Sequence, residues 1–95
     1  MSTVRRWWGS TRGHGEMIVH VNVGRGNVDR HSLITGQICE ISAPTGEALD
    51  YPFIGGAKMT INNICPRDDG IVDFWVSVYW DSDLNFKLWF LVSND

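Results

Sequence analysis

IVDFWVSVYWDSDLNFKLWFLV, residues 71–92, is the stretch whose reading decides the fold. Two runs rich in Val, Phe, Trp and Tyr flank Asp81-Ser82-Asp83-Leu84, a cluster of turn formers, and the pattern predicts two strands folded back on each other as a hairpin. In the first run Val72, Phe74, Val76, Val78 and Trp80 fall on one side; in the second Phe86, Leu88, Phe90 and Val92 do. Such alternation is the mark of a half-buried strand. Paired strands match in face, so even residues are expected opposite even ones. A three-residue loop pairs Trp80 with Leu84 and Trp75 with Trp89, whereas a five-residue loop pairs Trp80 with Phe86. Either register builds one apolar wall of nine side chains. The odd face carries Asp73, Trp75, Ser77 and Tyr79, then Asn85, Lys87, Trp89 and Leu91. That mixture is neither plain core nor plain solvent surface.

Working outward, Pro66-Arg67-Asp68-Asp69-Gly70 turns the chain into this pair, and residues 57–64 predict a strand with Ala57, Met59 and Ile61 on one face. Tyr51-Pro52-Phe53-Ile54 leads into Gly55-Gly56, a second break in the pattern. Residues 43–50, APTGEALD, read as a loop with a helical turn at its end. Residues 37–42, QICEIS, are a short strand set off by Gly36, and residues 28–34 a weaker one. In residues 16–23, EMIVHVNV, Met17, Val19, Val21 and Val23 point one way and Ile18, His20 and Asn22 the other. Gly24-Arg25-Gly26-Asn27 then supplies the tolerance of positive φ that a hairpin turn requires. Residues 1–15 form an extended arm or edge segment around Trp7-Trp8, closed by Gly13-His14-Gly15. No stretch has a helical period. The expected class is all-β: a single antiparallel β-sandwich or small barrel of six to seven short strands, residues 1–95 as one domain.

A chain of 95 residues buries only about two-thirds of its unfolded surface, so its core is thin. No apolar run approaches the ~20 residues of a membrane-spanning helix. The basic N-terminal residues lack a following apolar segment, so no signal peptide is expected. The chain reads as soluble, either cytoplasmic or exported by a non-classical route. Its net charge of −3 divides into +3 over residues 1–31, which hold all three His, and −6 over residues 32–95. That balance argues against a nucleic-acid partner. The basic third is suited either to an anionic surface or to the acidic remainder of the fold. Cys39 and Cys65 sit in apolar strand-like contexts and are expected as reduced thiols.

Nothing in the sequence points to an enzyme. No nucleophile elbow or oxyanion loop surrounds any Ser, Thr or Cys. His14, His20 and His31 lack metal-ligand spacing, and Asp68-Asp69 and Asp81-Ser82-Asp83 read as turn acids rather than a calcium loop. Gly24-Arg25-Gly26 lacks the helix that a phosphate-cradling loop needs. No catalytic residue, metal site or cofactor is therefore expected. The five Trp are the better lead. Amphipathic rings suit surfaces that stack on sugars or sit at the lipid headgroup level. Trp75, Tyr79, Trp89 and Lys87, joined by Trp7, Trp8 and Arg12, are the candidate ligand-binding set. The competing possibility is that a second sheet covers the odd face and makes Trp75 and Trp89 core. Lys87, Ser77 and Asp73 on that face argue against full burial.

Asn63-Ile64-Cys65-Pro66-Arg67-Asp68-Asp69 resembles the N-x-C-G-R-x-D segment of aegerolysins, with Pro66 in place of Gly. Tyr79-Trp80-Asp81, with Asn85 shortly after, is similar to their Y-W-D-C-P-W…N run without its Cys-Pro-Trp, and residues 16–28 look like their opening strand and Gly turn. The last two strands also resemble, less specifically, the aromatic lipid-facing region of actinoporins. The aegerolysin resemblance implies a small β-sandwich that recognises membrane lipids and acts as a cytolysin with a partner protein. The expected function is thus a non-enzymatic module engaging lipid headgroups through an aromatic surface, as part of a toxin. The alternatives are a lectin-like carbohydrate-binding module, or a viral or phage structural protein whose aromatic face is a subunit interface. The partners implied are a membrane lipid or glycan surface, with a homo-oligomer or a partner protein as further options.

Overall fold

Runs that alternate β-branched or aromatic side chains with polar ones gain most from a pleated surface buried on one side. The computed structural model, which describes residues 3–42 and 51–94, folds seven such runs into strands. They are β1 (Thr3–Gly13), β2 (Gly15–Asn22), β3 (Leu33–Ile41), β4 (Pro52–Phe53), β5 (Lys58–Pro66), β6 (Ile71–Tyr79) and β7 (Leu84–Asn94). They form two antiparallel sheets, β1-β7-β3-β4 and β2-β6-β5, with the core between them. The chain is an all-β sandwich.

The expected hairpin between the last two strands is not formed. β6 lies between β2 and β5 at the centre of one sheet, and β7 lies between β1 and β3 at the centre of the other. Alternation states which side of a strand is apolar and leaves its hydrogen-bonding partner open. Side by side, two apolar faces would make one wall still in need of a cover; face to face, each covers the other. The eight even residues from Val72 to Val78 and from Phe86 to Val92 are accordingly all buried, and the Phe74 and Phe90 rings meet across the interior at 4.8 Å between centroids. Trp80 drops out of the wall. Its N–H donates to the Val78 carbonyl at 3.0 Å, a γ-turn that bends the chain out of β6 and leaves the ring 46% exposed.

The rest of the chain builds around these two strands. Residues 3–13 are the edge strand β1, paired with β7 along their whole length. A corner at Gly13-His14-Gly15 then carries the chain to the other sheet, where Met17, Val19 and Val21 register with Val76, Phe74 and Val72. Gly24-Arg25-Gly26-Asn27 does make a turn, closed by Asn27 N–H to the Gly24 carbonyl at 3.1 Å with positive φ at both glycines. It joins strands of different sheets, so it is not a hairpin turn. The strand expected at 28–34 begins only at Leu33, because Asp29 and Ser32 turn the backbone through mutual hydrogen bonds. β3 also runs straight through Gly36 instead of starting after it. A Cβ on Gly36 would stand 3.2 Å from the Trp89 carbonyl oxygen and 3.3 Å from the Phe90 Cβ, so glycine marks a close approach and not a break. In β5, a bulge between Ile61 and Asn63 shifts the parity so that Ile64 takes the inward position opposite Phe74. The helical turn expected within residues 43–50 lies outside the described residues.

Truncating either ring of the central contact leaves a cavity in a thin core. Phe74→Ala and Phe90→Ala should each cost about 3–5 kcal/mol in chemical denaturation. A double-mutant cycle between them should return about 0.5–1.5 kcal/mol of coupling. Gly70 has φ +88° and faces the backbone of Gly24 and Arg25 where a Cβ would stand. Gly70→Ala should therefore destabilise by more than the ~1–3 kcal/mol of the backbone strain alone, read in the same denaturation assay.

Candidate functional site

Which residues of the four-stranded sheet face outward follows from its register. Leu88 and Phe90 are core, so their β1 partners Gly9 and Trp7 point inward and the even residues of β1 point out. Three rungs then cross the outer face: Arg6, Leu91 and Thr35; Trp8, Trp89 and Gln37; Ser10, Lys87 and Cys39. Arg12 beside Asn85 extends one end, and Val4 and Leu33 lie at the other. Arg6, Arg12 and Lys87 make this surface cationic, and none of the residues that the register places on it is acidic.

Lys87 organises the centre of the face. Its Nζ lies 4.6 Å from the centre of the Trp8 ring and 4.8 Å from that of Trp89. Sequence reasoning placed it as the group that keeps this surface wet; instead it is 9% exposed, its stem covered and its ammonium held between two indole faces. An ammonium withdrawn from water needs compensation, and the negative faces of the indoles supply part of it. In return the two rings are held in place. Beside them lies a depression of about 400 Å³ lined by Arg6, Thr35, Gln37, Trp89 and Leu91 over Gly36 and Phe90.

The single aromatic surface expected from a hairpin does not exist. Trp8, Lys87 and Trp89 are together on one sheet, while Trp75 and Tyr79 face outward from the other. Stacked sheets are ~10 Å apart, so side chains on their outer faces point away from each other on opposite sides of the molecule. Trp7 belongs to neither set: it packs on the core, its indole N–H buried without an acceptor among the described residues. Arg12 is exposed on the Lys87 face, away from the depression. Ser77 is 3% exposed, covered by Asn62, whose Nδ2 donates to Ser77 Oγ at 2.7 Å. Arg6, Thr35, Gln37 and Leu91 were not singled out from the sequence as a group. Their shared parity becomes informative only once β1 and β3 are known to flank β7.

The acidic and imidazole groups gather elsewhere. His14 Nδ1 meets Asp83 at 2.6 Å, joining the β1–β2 corner to the β6–β7 connection. His20 Nδ1 meets Asp73 Oδ1 at 2.5 Å, and Arg67 bonds Asp69 at 2.5 Å and Asp73 more loosely at 3.4 Å. Partial desolvation acts to lower the Arg67 pKa, and the two carboxylates outweigh it and raise the guanidinium above its ordinary value. Among the described residues no group of three or more His, Cys, Asp or Glu is placed to hold a metal ion, and Cys39 and Cys65 are free thiols. No helix among them is long and apolar enough to cross a membrane. No family model matches the chain, and no curated protein or solved structure matches it either.

The Lys87 arrangement has a measurable signature. Trp89→Leu keeps apolar bulk but removes one ring from the ammonium, and should cost about 0.5–2 kcal/mol. In a Lys87→Met background the same substitution should cost clearly less, so a denaturation cycle over the four proteins gives the coupling directly.

Proposed function

We propose that the outer face of β1-β7-β3 binds the headgroup region of an anionic lipid membrane, as the non-enzymatic docking surface of a toxin or cytolysin. One observation carries this reading. In a chain of net charge −3, three cations share one face with Trp8, Trp89, Leu91 and the exposed Leu33, and the register places no acid among them. Each cation near an anionic leaflet contributes about 1 kcal/mol, so charge alone gives weak attachment and the rings must contribute the remainder. Indoles favour the headgroup level, where one part of the ring is apolar and the N–H is wet.

A subunit interface suits this face less well, because a two-fold contact would bring each cation against the like charges of its copy. A sugar would leave Leu33, which is 74% exposed, and Val4 without a contact that favours them.

Vesicles of phosphatidylcholine, with and without phosphatidylserine, test the reading. Tryptophan emission should shift to the blue with the anionic vesicles, and the shift should weaken as salt is added. The paired substitution of Arg6 and Arg12 by Gln should reduce vesicle affinity about 30-fold, the equivalent of ~2 kcal/mol. Trp75→Ala, on the opposite face, should leave vesicle binding unchanged. Binding that ignores phosphatidylserine, or that is lost with Trp75 and kept without the two arginines, would overturn the assignment.

A further inference from the structure

The second outward aromatic set has different chemistry around it. On β2-β6-β5, Trp75 stands between Ile18 and Asn63, and one outward position along, Asp73 stands between His20 and Cys65. Ile18, Asn63, Cys65, Asp73 and Trp75 line a depression of about 320 Å³, at the small end of ligand clefts. Trp75 is 42% exposed, so its ring is open to a ligand without unfolding anything.

The polar groups beside it are fixed in orientation. Asn63 Oδ1 accepts the Ile64 N–H at 2.8 Å, which directs the amide's Nδ2 donors to what lies outside. Asp73 is held from two sides, by His20 Nδ1 at 2.5 Å and by Arg67 Nη1 at 3.4 Å. A carboxylate has about four acceptor sites, so two engaged partners leave it able to accept from two more donors. Its charge is already shared with the Arg67 guanidinium, and His20 occupies one of its acceptor positions. A cationic ligand over Trp75 would thus meet a carboxylate whose counter-charge, Arg67, is already in place, whereas a neutral hydroxyl needs only the remaining lone pairs.

We infer that this depression is a binding site for a neutral saccharide, distinct from the lipid-facing surface and independent of it. A pyranose presents a C–H face that lies on an indole and, at its rim, adjacent hydroxyls that both donate and accept. Trp75 takes the C–H face, Asp73 accepts from hydroxyls, and Asn63 Nδ2 donates to one. Outward positions two residues apart on a strand are ~7 Å apart, which lets one ring reach both the indole and the carboxylate. The contrast with the other sheet supports the assignment. There the Trp rings flank Lys87, with Arg6 and the Gln37 amide on the same face and no carboxylate; here the ring has an amide beside it and a carboxylate one outward position along.

Side-chain amide and indole signals in proton–nitrogen correlation spectra read the site directly. The probes are the methyl glycosides of glucose, galactose, mannose and N-acetylglucosamine, with tetramethylammonium as the cationic comparison. At least one glycoside should shift the Trp75 indole and Asn63 amide signals saturably while leaving Trp8 and Trp89 unmoved. Trp75→Ala should abolish the response. Asp73→Asn should weaken it about tenfold, as loss of one hydrogen bond to a charged acceptor implies. Trp89→Ala should leave it intact, and the same spectra report whether each variant is folded. The inference is overturned if all four glycosides leave Trp75 unmoved, if tetramethylammonium shifts it more than any of them, or if a folded Asp73→Asn protein binds as tightly as the native one. Vesicle binding is read at Trp8 and Trp89, so failure here and failure of the lipid reading are separate results.

Discussion

Phe74 and Phe90 meet across the interior with their ring planes tilted at 57°, and most of what the molecule presents to solvent follows from that contact. The rings belong to neighbouring strands of the sequence that lie in opposite sheets. Once their even side chains face each other, their odd side chains are forced outward in opposite directions. Gly36 belongs to the same constraint, since any side chain there would push against Phe90 and the Phe74 ring beyond it. In a domain with so thin a core, there is no second layer to absorb an error at this point.

The outcome is a module with two chemically unlike faces. One gathers Arg6, Arg12 and Lys87 around a pair of indoles. The other carries an indole beside Asp73, and the network of Arg67 and Asp69 with that residue lies toward the β5–β6 turn. The net charge of −3 describes neither face. Lys87 shows how a charged group contributes to order rather than solvation: the two rings that shield it are in turn held by it.

Much of the architecture was legible in the sequence. The even parity of residues 72–78 and 86–92, the inward side of residues 17–23 and the positive φ at Gly24 and Gly26 all follow from local pattern, because face and turn geometry are local properties. Pairing is not local. Nothing within residues 71–92 distinguishes two strands that share a ladder from two that share a core, and the hairpin expectation failed on that point. The candidate site inherited the error. Trp75 and Trp89 have equal parity and look like neighbours, yet they point away from each other. Lys87 was misjudged for a related reason: its cover is Trp8, far away in sequence, and only the β1–β7 register brings it there. The bulge at Ile61/Asn63 was likewise invisible, since Asn62 reads as an ordinary strand residue until its amide is seen capping Ser77.

The pairing of residues 3–13 with residues 84–94 has a consequence for how the chain reaches this state. β1 leaves the ribosome first of the seven strands, and among the described residues its ladder partner is the last of them. β7, in turn, needs β1 on one side and β3 on the other. The four-stranded sheet therefore cannot assemble progressively during synthesis, and its closure carries the loop entropy of nearly the whole chain. Such long-range pairing slows closure relative to a sheet built from hairpins, and until it is complete the apolar sides of β2 and β3 are open to any other unpaired strand nearby.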